Sequence, residues 1–251
     1  MSSERPVAWI TGAGTGIGRA LARRLANEGW TIAVSARTGE DLEALAREFP
    51  DRVYPYVLDV TDSSETQAVI ARIEQQLGAV SLVVLNAGTY IPTDVHPLNP
   101  RAFRTQFEVN FMGTVNGLAE IVPRFIARRS GHIAVMASVA GYRGLPHAAA
   151  YGATKAAIIN MCEAMSVELE QYGVDMSVIC PGFVKTPLTD KNAFPMPFII
   201  SAEDAADYIF RGLNSRRFEI AFPPLFAMMM KILRILPYRA FFAIARRIRG
   251  A

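Results

Sequence analysis

The sequence predicts an α/β protein built as one doubly wound domain, with a mainly parallel sheet, helices on both faces and a C-terminal helical extension. Three observations predict it. Short apolar, β-branched runs alternate with longer segments of helical period, and strict alternation calls for parallel strands joined by right-handed crossovers. The runs are apolar almost throughout, as strands covered on both faces are. The chain has 251 residues and no internal repeat or low-complexity linker, which suits one large core.

Taken in order, residues 7–10 read as a buried strand and 17–27 as a helix with Ile17, Leu21 and Leu25 along one side. Strand 31–35 and helix 40–48 follow, then strands 53–58, 80–85, 133–137 and 174–179. Long helices are expected at 64–77, 101–129 and 151–172, and a shorter one at 202–213 precedes a last strand at 218–221. The expected organisation is a domain over residues 1–222 and an apolar, basic helical extension over 223–251. In such a sheet, ligands bind outside the carboxyl ends of the strands, where the strand order reverses.

The net charge of +3 hides an asymmetry. Residues 222–251 hold six basic residues and no acidic one, leaving 20 basic and 23 acidic residues in the first 221. A basic tail is not a basic docking face, so nucleic-acid binding is not expected. Cys162 and Cys180 make neither a disulfide framework nor a metal site, and His96, His132 and His147 do not form a metal set. His132 reads as an edge residue ahead of a strand, and His147 as a solvent-facing loop residue. Residues 1–6 are polar and lack the apolar run of a signal peptide, so a reducing, cytoplasmic setting is expected.

The first strand runs into Thr11-Gly12-Ala13-Gly14-Thr15-Gly16-Ile17-Gly18 and a helix follows at once. Glycines allow a tight turn and close backbone approach, and the helix N-terminus offers free N–H groups to a pyrophosphate. The spacing of Gly12, Gly16 and Gly18 is Gly-x-x-x-Gly-x-Gly, and a glycine-rich turn is the plain alternative. Tyr151 and Lys155 lie four apart on an expected helix, hence on one face. An ammonium beside a phenol lowers its pKa from about 10, although exposed Tyr–Lys neighbours are frequent. Ser138 ends a strand thirteen residues before Tyr151 and reads either as a group for a substrate carbonyl or as a cap. Asn110 sits within the long helix, and Asn86-Ala87-Gly88 ends the fourth strand.

The glycine loop, Asn86-Ala87-Gly88, Asn110, Ser138, Tyr151-x-x-x-Lys155 and Pro181-Gly182 together resemble the classical short-chain dehydrogenase/reductase family, in order and spacing, over roughly residues 5 to 222. The resemblance implies a Rossmann-type domain and an NAD(P)-dependent oxidoreductase that interconverts a carbonyl and a secondary alcohol. It implies Tyr151 as proton donor or base, Lys155 as the group that lowers its pKa and bonds the nicotinamide ribose, and Ser138 as the group that orients the carbonyl. Asn110 would hold a water linking Lys155 to solvent. Cofactor contacts would come from Gly12, Thr15, Gly16, Ile17, Gly18, Arg37, Asp59, Val60, Asn86, Ala87 and Gly88, and from Tyr151, Lys155, Pro181, Gly182, Val184 and Thr186. Asp59 resembles the residue that meets the adenine amino group, with a turn-forming role as the alternative. The family also implies a homodimer or homotetramer through the helices holding Asn110 and Tyr151.

Cofactor choice turns on the end of the second strand. Ala36 stands where the family's NAD-preferring members carry Asp, and Arg37 offers a fork to a 2′-phosphate. NADP(H) is therefore expected, with use of NAD(H) left open. Phe183 joins Ser138 and Tyr151 as a substrate-binding residue. Tyr142, Leu145 and the Asp190–Phe198 loop shape the pocket.

The extension departs from the family. Residues 225–236 are almost wholly apolar, Pro237 breaks them, and 240–248 resume. Twelve helical residues span about 18 Å against a bilayer core of about 30 Å, so the segment does not cross a membrane. It is expected to close over the site, to enter a subunit interface, or to lie in a membrane interface through residues 225–249. A lipophilic or bulky substrate follows from an apolar cover. The competing reading is a peripheral-membrane or interaction protein that keeps a dinucleotide-binding scaffold.

Overall fold

The computed structural model describes residues 5–191 and 195–249. Its sheet has seven strands in the order β3-β2-β1-β4-β5-β6-β7: β1 Val7–Thr11, β2 Thr31–Ala36, β3 Val53–Val57, β4 Val80–Leu85, β5 Gly131–Met136, β6 Val174–Pro181 and β7 Glu219–Phe222. Every pairing is parallel. The order reverses between β1 and β4, which sets the ligand crevice at their carboxyl ends.

Two apolar cores flank the sheet, and β1 feeds both by alternation. Val7 and Trp9 join one core, with Ile70, Ile121, Phe125 and Ile158 from the helices α3 Ser63–Leu77, α5 Gly113–Arg128 and α6 Ala149–Glu170. Ala8 and Ile10 join the other, with Leu21, Leu25, Leu42 and Ile209 from α1 Gly16–Asn27, α2 Gly39–Glu48 and α7 Ala202–Asn214. The fully buried Trp9 indole donates to Ser35 Oγ at 3.0 Å, so its N–H carries no desolvation penalty. Helix starts are capped as their sequences suggest: Asp62 accepts from Glu65 N–H and Ser201 from Asp204 N–H.

The helix expected at 101–129 is not continuous. The chain forms α4 Pro100–Gln106, a π-helical turn over Phe107–Met112, and then α5. The cause is tertiary. Thr89 N–H donates to Asn110 Oδ1 at 2.7 Å, while Asn110 Nδ2 donates to Thr89 O at 3.0 Å and to Thr154 Oγ1 at 3.1 Å. These bonds draw the backbone outward, as π turns at functional sites do. Beyond the turn, Gly113 and Gly117 let α5 sit close on the sheet side: a Cβ at either would meet Val60 or Leu85 at 2.6 Å. His132 also departs from expectation. It lies inside the interior strand β5, with Nε2 2.8 Å from Ser177 Oγ, and burial lowers its pKa.

The chain closes with α8 Pro224–Ile235 and α9 Tyr238–Arg249. Phe226, Ala227 and Met230 of α8 are buried in the core, where α8 packs on β7.

Candidate active site

Glycines and a single asparagine build the crevice floor. Gly12 takes φ +66°, where a Cβ would also lie 2.7 Å from Ala87 Cα. A Cβ on Gly18 would meet Gly12 O at 2.4 Å. Asn86 Nδ2 donates to Thr11 O and Gly12 O at 2.9 and 3.0 Å, and Thr11 Oγ1 accepts the N–H groups of Asn86 and Ala87. The loop is therefore pinned across the switch point, with glycine at 12, 14, 16 and 18. Such a cradle fits a pyrophosphate at the start of α1.

At the second strand's end, Arg37 is exposed and Ala36 half-buried. The structure brings in Asp41, which the sequence did not single out: its Oδ2 lies 3.5 Å from where a Gly14 Cβ would be. Asp59 shows the turn-forming use of its side chain, with Oδ1 accepting from Thr61 N–H at 3.0 Å and Thr61 Oγ1 at 2.8 Å. Those bonds hold its pKa below the usual carboxylate range. Thr186 faces the loop, its Cγ2 3.0 Å from a Cβ position on Gly16.

The carboxyl ends of β5 and β6 bring Ser138, Tyr151 and Lys155 together. Ser138 caps the short turn Val139–Gly141, accepting from Ala140 N–H at 3.1 Å, and donates to Pro181 O at 3.3 Å. The Tyr151 hydroxyl lies beside it, and Ser138 acts to lower that group's pKa. Helix α6 begins at Ala149 rather than at Tyr151, so Tyr151 stands in its first turn and Lys155 one turn on. Lys155 is 3% exposed. Its Nζ donates to Met136 O at 2.7 Å and lies 5.6 Å from the Tyr151 ring centroid.

The expected acidification of the phenol is not what the protein's own groups produce. Burial pushes Tyr151 up to about 12, and Ser138 pulls the other way. Burial also lowers Lys155 to about 8. The reason is geometric: the ammonium is aimed at the Met136 carbonyl, and both groups lose water at once.

Aromatic side chains surround this centre. Tyr90 meets Tyr151 edge-on at 5.3 Å between centroids. Phe183 stacks on Phe226 of α8 at 5.5 Å, and Phe198 lies 6.0 Å from the same ring. Tyr142 is buried and donates to Glu219 Oε1 at 2.5 Å. His147 is exposed, with Nδ1 3.1 Å from Asp94. Sequence reading missed Tyr90, Asp41 and Phe226; only position in space marks them. Residues 192–194 of the expected pocket loop lie outside the described residues. Among the described residues no group of three His, Cys, Asp or Glu is placed to hold a metal.

A model of the short chain dehydrogenase family matches residues 6–194. The chain belongs to that family. A Myxococcus xanthus protein described as an uncharacterized oxidoreductase is 36% identical over 245 residues, covering 96% of this chain and 97% of its own. A short chain dehydrogenase of Burkholderia cenocepacia, solved in complex with NADP, superposes with a TM-score of 0.84 at 26% identity, covering 98% of this chain and 99% of its own. One from Burkholderia phymatum, solved in complex with NAD, gives 0.84 at 26% identity over 92% and 93%. As a short-chain dehydrogenase this protein is an oxidoreductase of the nicotinamide dinucleotide class, and its seven-stranded parallel sheet is the family fold.

Proposed function

We propose that the enzyme interconverts a carbonyl and a secondary alcohol on a lipophilic or bulky substrate, with NADP(H) preferred and reduction favoured. The observation that carries this reading is the convergence of Ser138 and Tyr151 in the crevice, with Lys155 buried one turn behind. When bound along the glycine cradle, the dihydronicotinamide supplies hydride to the carbonyl carbon.

The protein's own groups manage the oxygen. Ser138 holds it by a preorganised hydrogen bond as charge develops there. Tyr151, held protonated at neutral pH, delivers its proton to the same atom, which suits the reductive direction. Lys155 bonds the nicotinamide ribose and supports the resulting phenolate. Asn110 serves the proton supply. A Cβ position on Gly88 lies 3.3 Å from Asn110 Oδ1 and 3.8 Å from Lys155 Nζ, so the missing side chain leaves room for a water joining the two.

Gly12, Thr15, Gly16, Ile17 and Gly18 hold the pyrophosphate, and Asp59, Val60, Asn86, Ala87 and Gly88 border the adenosine and ribose. Pro181, Gly182, Val184 and Thr186 meet the nicotinamide end. Arg37 takes the 2′-phosphate, with Ala36 offering no competing carboxylate; Asp41 nearby keeps NAD(H) use open. Phe183, backed by Phe226, favours an apolar substrate body. Exposed Val167 on α6 and Met112 at the π turn support a homo-oligomer through those helices, and two buried free thiols suit a cytoplasmic, reducing setting. The test is turnover of a carbonyl panel with NADPH and NADH by the wild type and Tyr151→Phe. No turnover by the wild type on any carbonyl or alcohol overturns the reading.

A further inference from the structure

We propose that α8 and α9 form a docking surface for anionic lipid, which sets the substrate pocket against a membrane interface; the pocket's part in this rests on the lipophilic-carbonyl reading above. Helix α8 is apolar on two sides and only one is covered. Phe226, Ala227 and Met230 face the core, whereas Leu225, Met228, Met229, Ile232 and Ile235 remain exposed, Ile235 by 80%. Those five recur at helical spacing and line one side. A contiguous exposed apolar side marks a contact surface.

Helix α9 extends it. Phe241 is buried, while Tyr238 and Phe242 are exposed and stack on each other at 5.7 Å. Phe198 and Ile199 are also exposed, and Phe198 lies 6.0 Å from the Phe226 ring at the edge of α8. The surface is held in place rather than trailing. Arg143, in the loop between Ser138 and Tyr151, lies 4.5 Å from the ring centroids of both Tyr238 and Phe241 and donates to Arg234 O and Leu236 O at the end of α8.

Charge selects the occupant. Residues 222–251 carry six cations and no acid. Lys231 pairs with Glu219 and Arg234 with Glu163, while Arg239, Arg246 and Arg247 are exposed. A second copy docked about a two-fold axis would set this basic segment against itself. An anionic headgroup layer complements it, with the apolar side chains reaching the acyl boundary. Among the described residues no helix is long and apolar enough to cross a membrane, so contact is confined to the interface. A lipophilic substrate dissolved there meets the Phe198 rim directly.

Flotation of the full-length protein with vesicles decides it. The wild type is expected to float with phosphatidylcholine vesicles containing phosphatidylglycerol, and not with phosphatidylcholine alone. At roughly fivefold in partition per cation near an anionic surface, Arg246→Gln with Arg247→Gln weakens binding about 25-fold. Ile232→Ser with Ile235→Ser abolishes it. Both double variants retain NADPH turnover of a water-soluble carbonyl, so loss of docking and loss of the catalytic reading are read separately. Equal binding to both vesicle types, or none to either, overturns the proposal. So does sedimentation showing that the isoleucine pair holds a dimer while vesicles capture nothing.

Discussion

Lys155 Nζ donates to the main-chain oxygen of Met136 at 2.7 Å, which ties the first turns of α6 to the end of β5. The ammonium is 3% exposed, and burial brings its pKa from 10.5 to about 8. Between those values the unfolded chain holds more protons than the folded one. Stability therefore rises with pH through that window, and below it the cost of burying the charge is felt in full. That cost is about 3 kcal/mol, offset by about 1.5–3 kcal/mol for a hydrogen bond from a charged donor. Lys155→Met is expected to be up to about 1.5 kcal/mol more stable than wild type at pH 7, with the gap closing by pH 10.5. Urea midpoints across that range check it; a pH-independent gap refutes it.

Tyr151→Phe removes the proton donor and keeps the ring against Tyr90. Turnover in carbonyl reduction should fall by roughly 10²–10⁴-fold, with NADPH affinity within about threefold of wild type, since dinucleotide contacts are spread over many groups. Ser138→Ala should cost roughly 10²–10³-fold in kcat. Single-turnover rates beside fluorescence titration separate the two effects.

Asn110→Ala would leave Thr89 N–H and O and the Thr154 hydroxyl without the partners described above, a loss of about 2–4 kcal/mol at a buried site. Melting curves check it directly. A drop below about 0.5 kcal/mol would mean that the π turn holds itself.

Cofactor choice has its own test. Ala36→Asp with Arg37→Ala places a carboxylate at the end of β2 and removes the guanidinium. The ratio of kcat/KM for NADPH over NADH should fall by about 100-fold, on the scale of one or two charged contacts. An unchanged ratio would transfer the choice to other groups, Asp41 first among them.

Arg143→Ala should loosen the last two helices by about 1–2 kcal/mol, the scale of a partly desolvated cation–π contact. Hydrogen exchange is the readout. Protection in residues 225–247 should fall while that in β5 and α6 holds; uniform loss would point to global unfolding instead.

Much of this was legible from local pattern. The β-branched runs and helical periods placed each strand and helix to within a few residues, because strands buried on both faces and amphipathic helices write their environment into neighbouring positions. Tyr151 and Lys155 share a face by spacing alone. What the sequence withheld depends on distant partners. The π turn exists because Asn110 finds Thr89 and Thr154, 21 and 44 positions away. Burial, not the nearby cation, governs the proton affinity of Tyr151, and burial is a property of the folded surroundings. Phe226 reaches Phe183 from a segment whose own pattern shows only an apolar helix.

The widened turn at Phe107–Met112 has a consequence for every residue after it. One residue more or fewer there would rotate α5 by about 100° about its axis. Gly113 and Gly117 would swing off Val60 and Leu85, and bulkier neighbours would be driven into the sheet. The helix that completes one apolar layer thus takes its angular setting from a single amide beside the crevice, so a deletion in that turn should damage packing some distance away as badly as it damages the proton path.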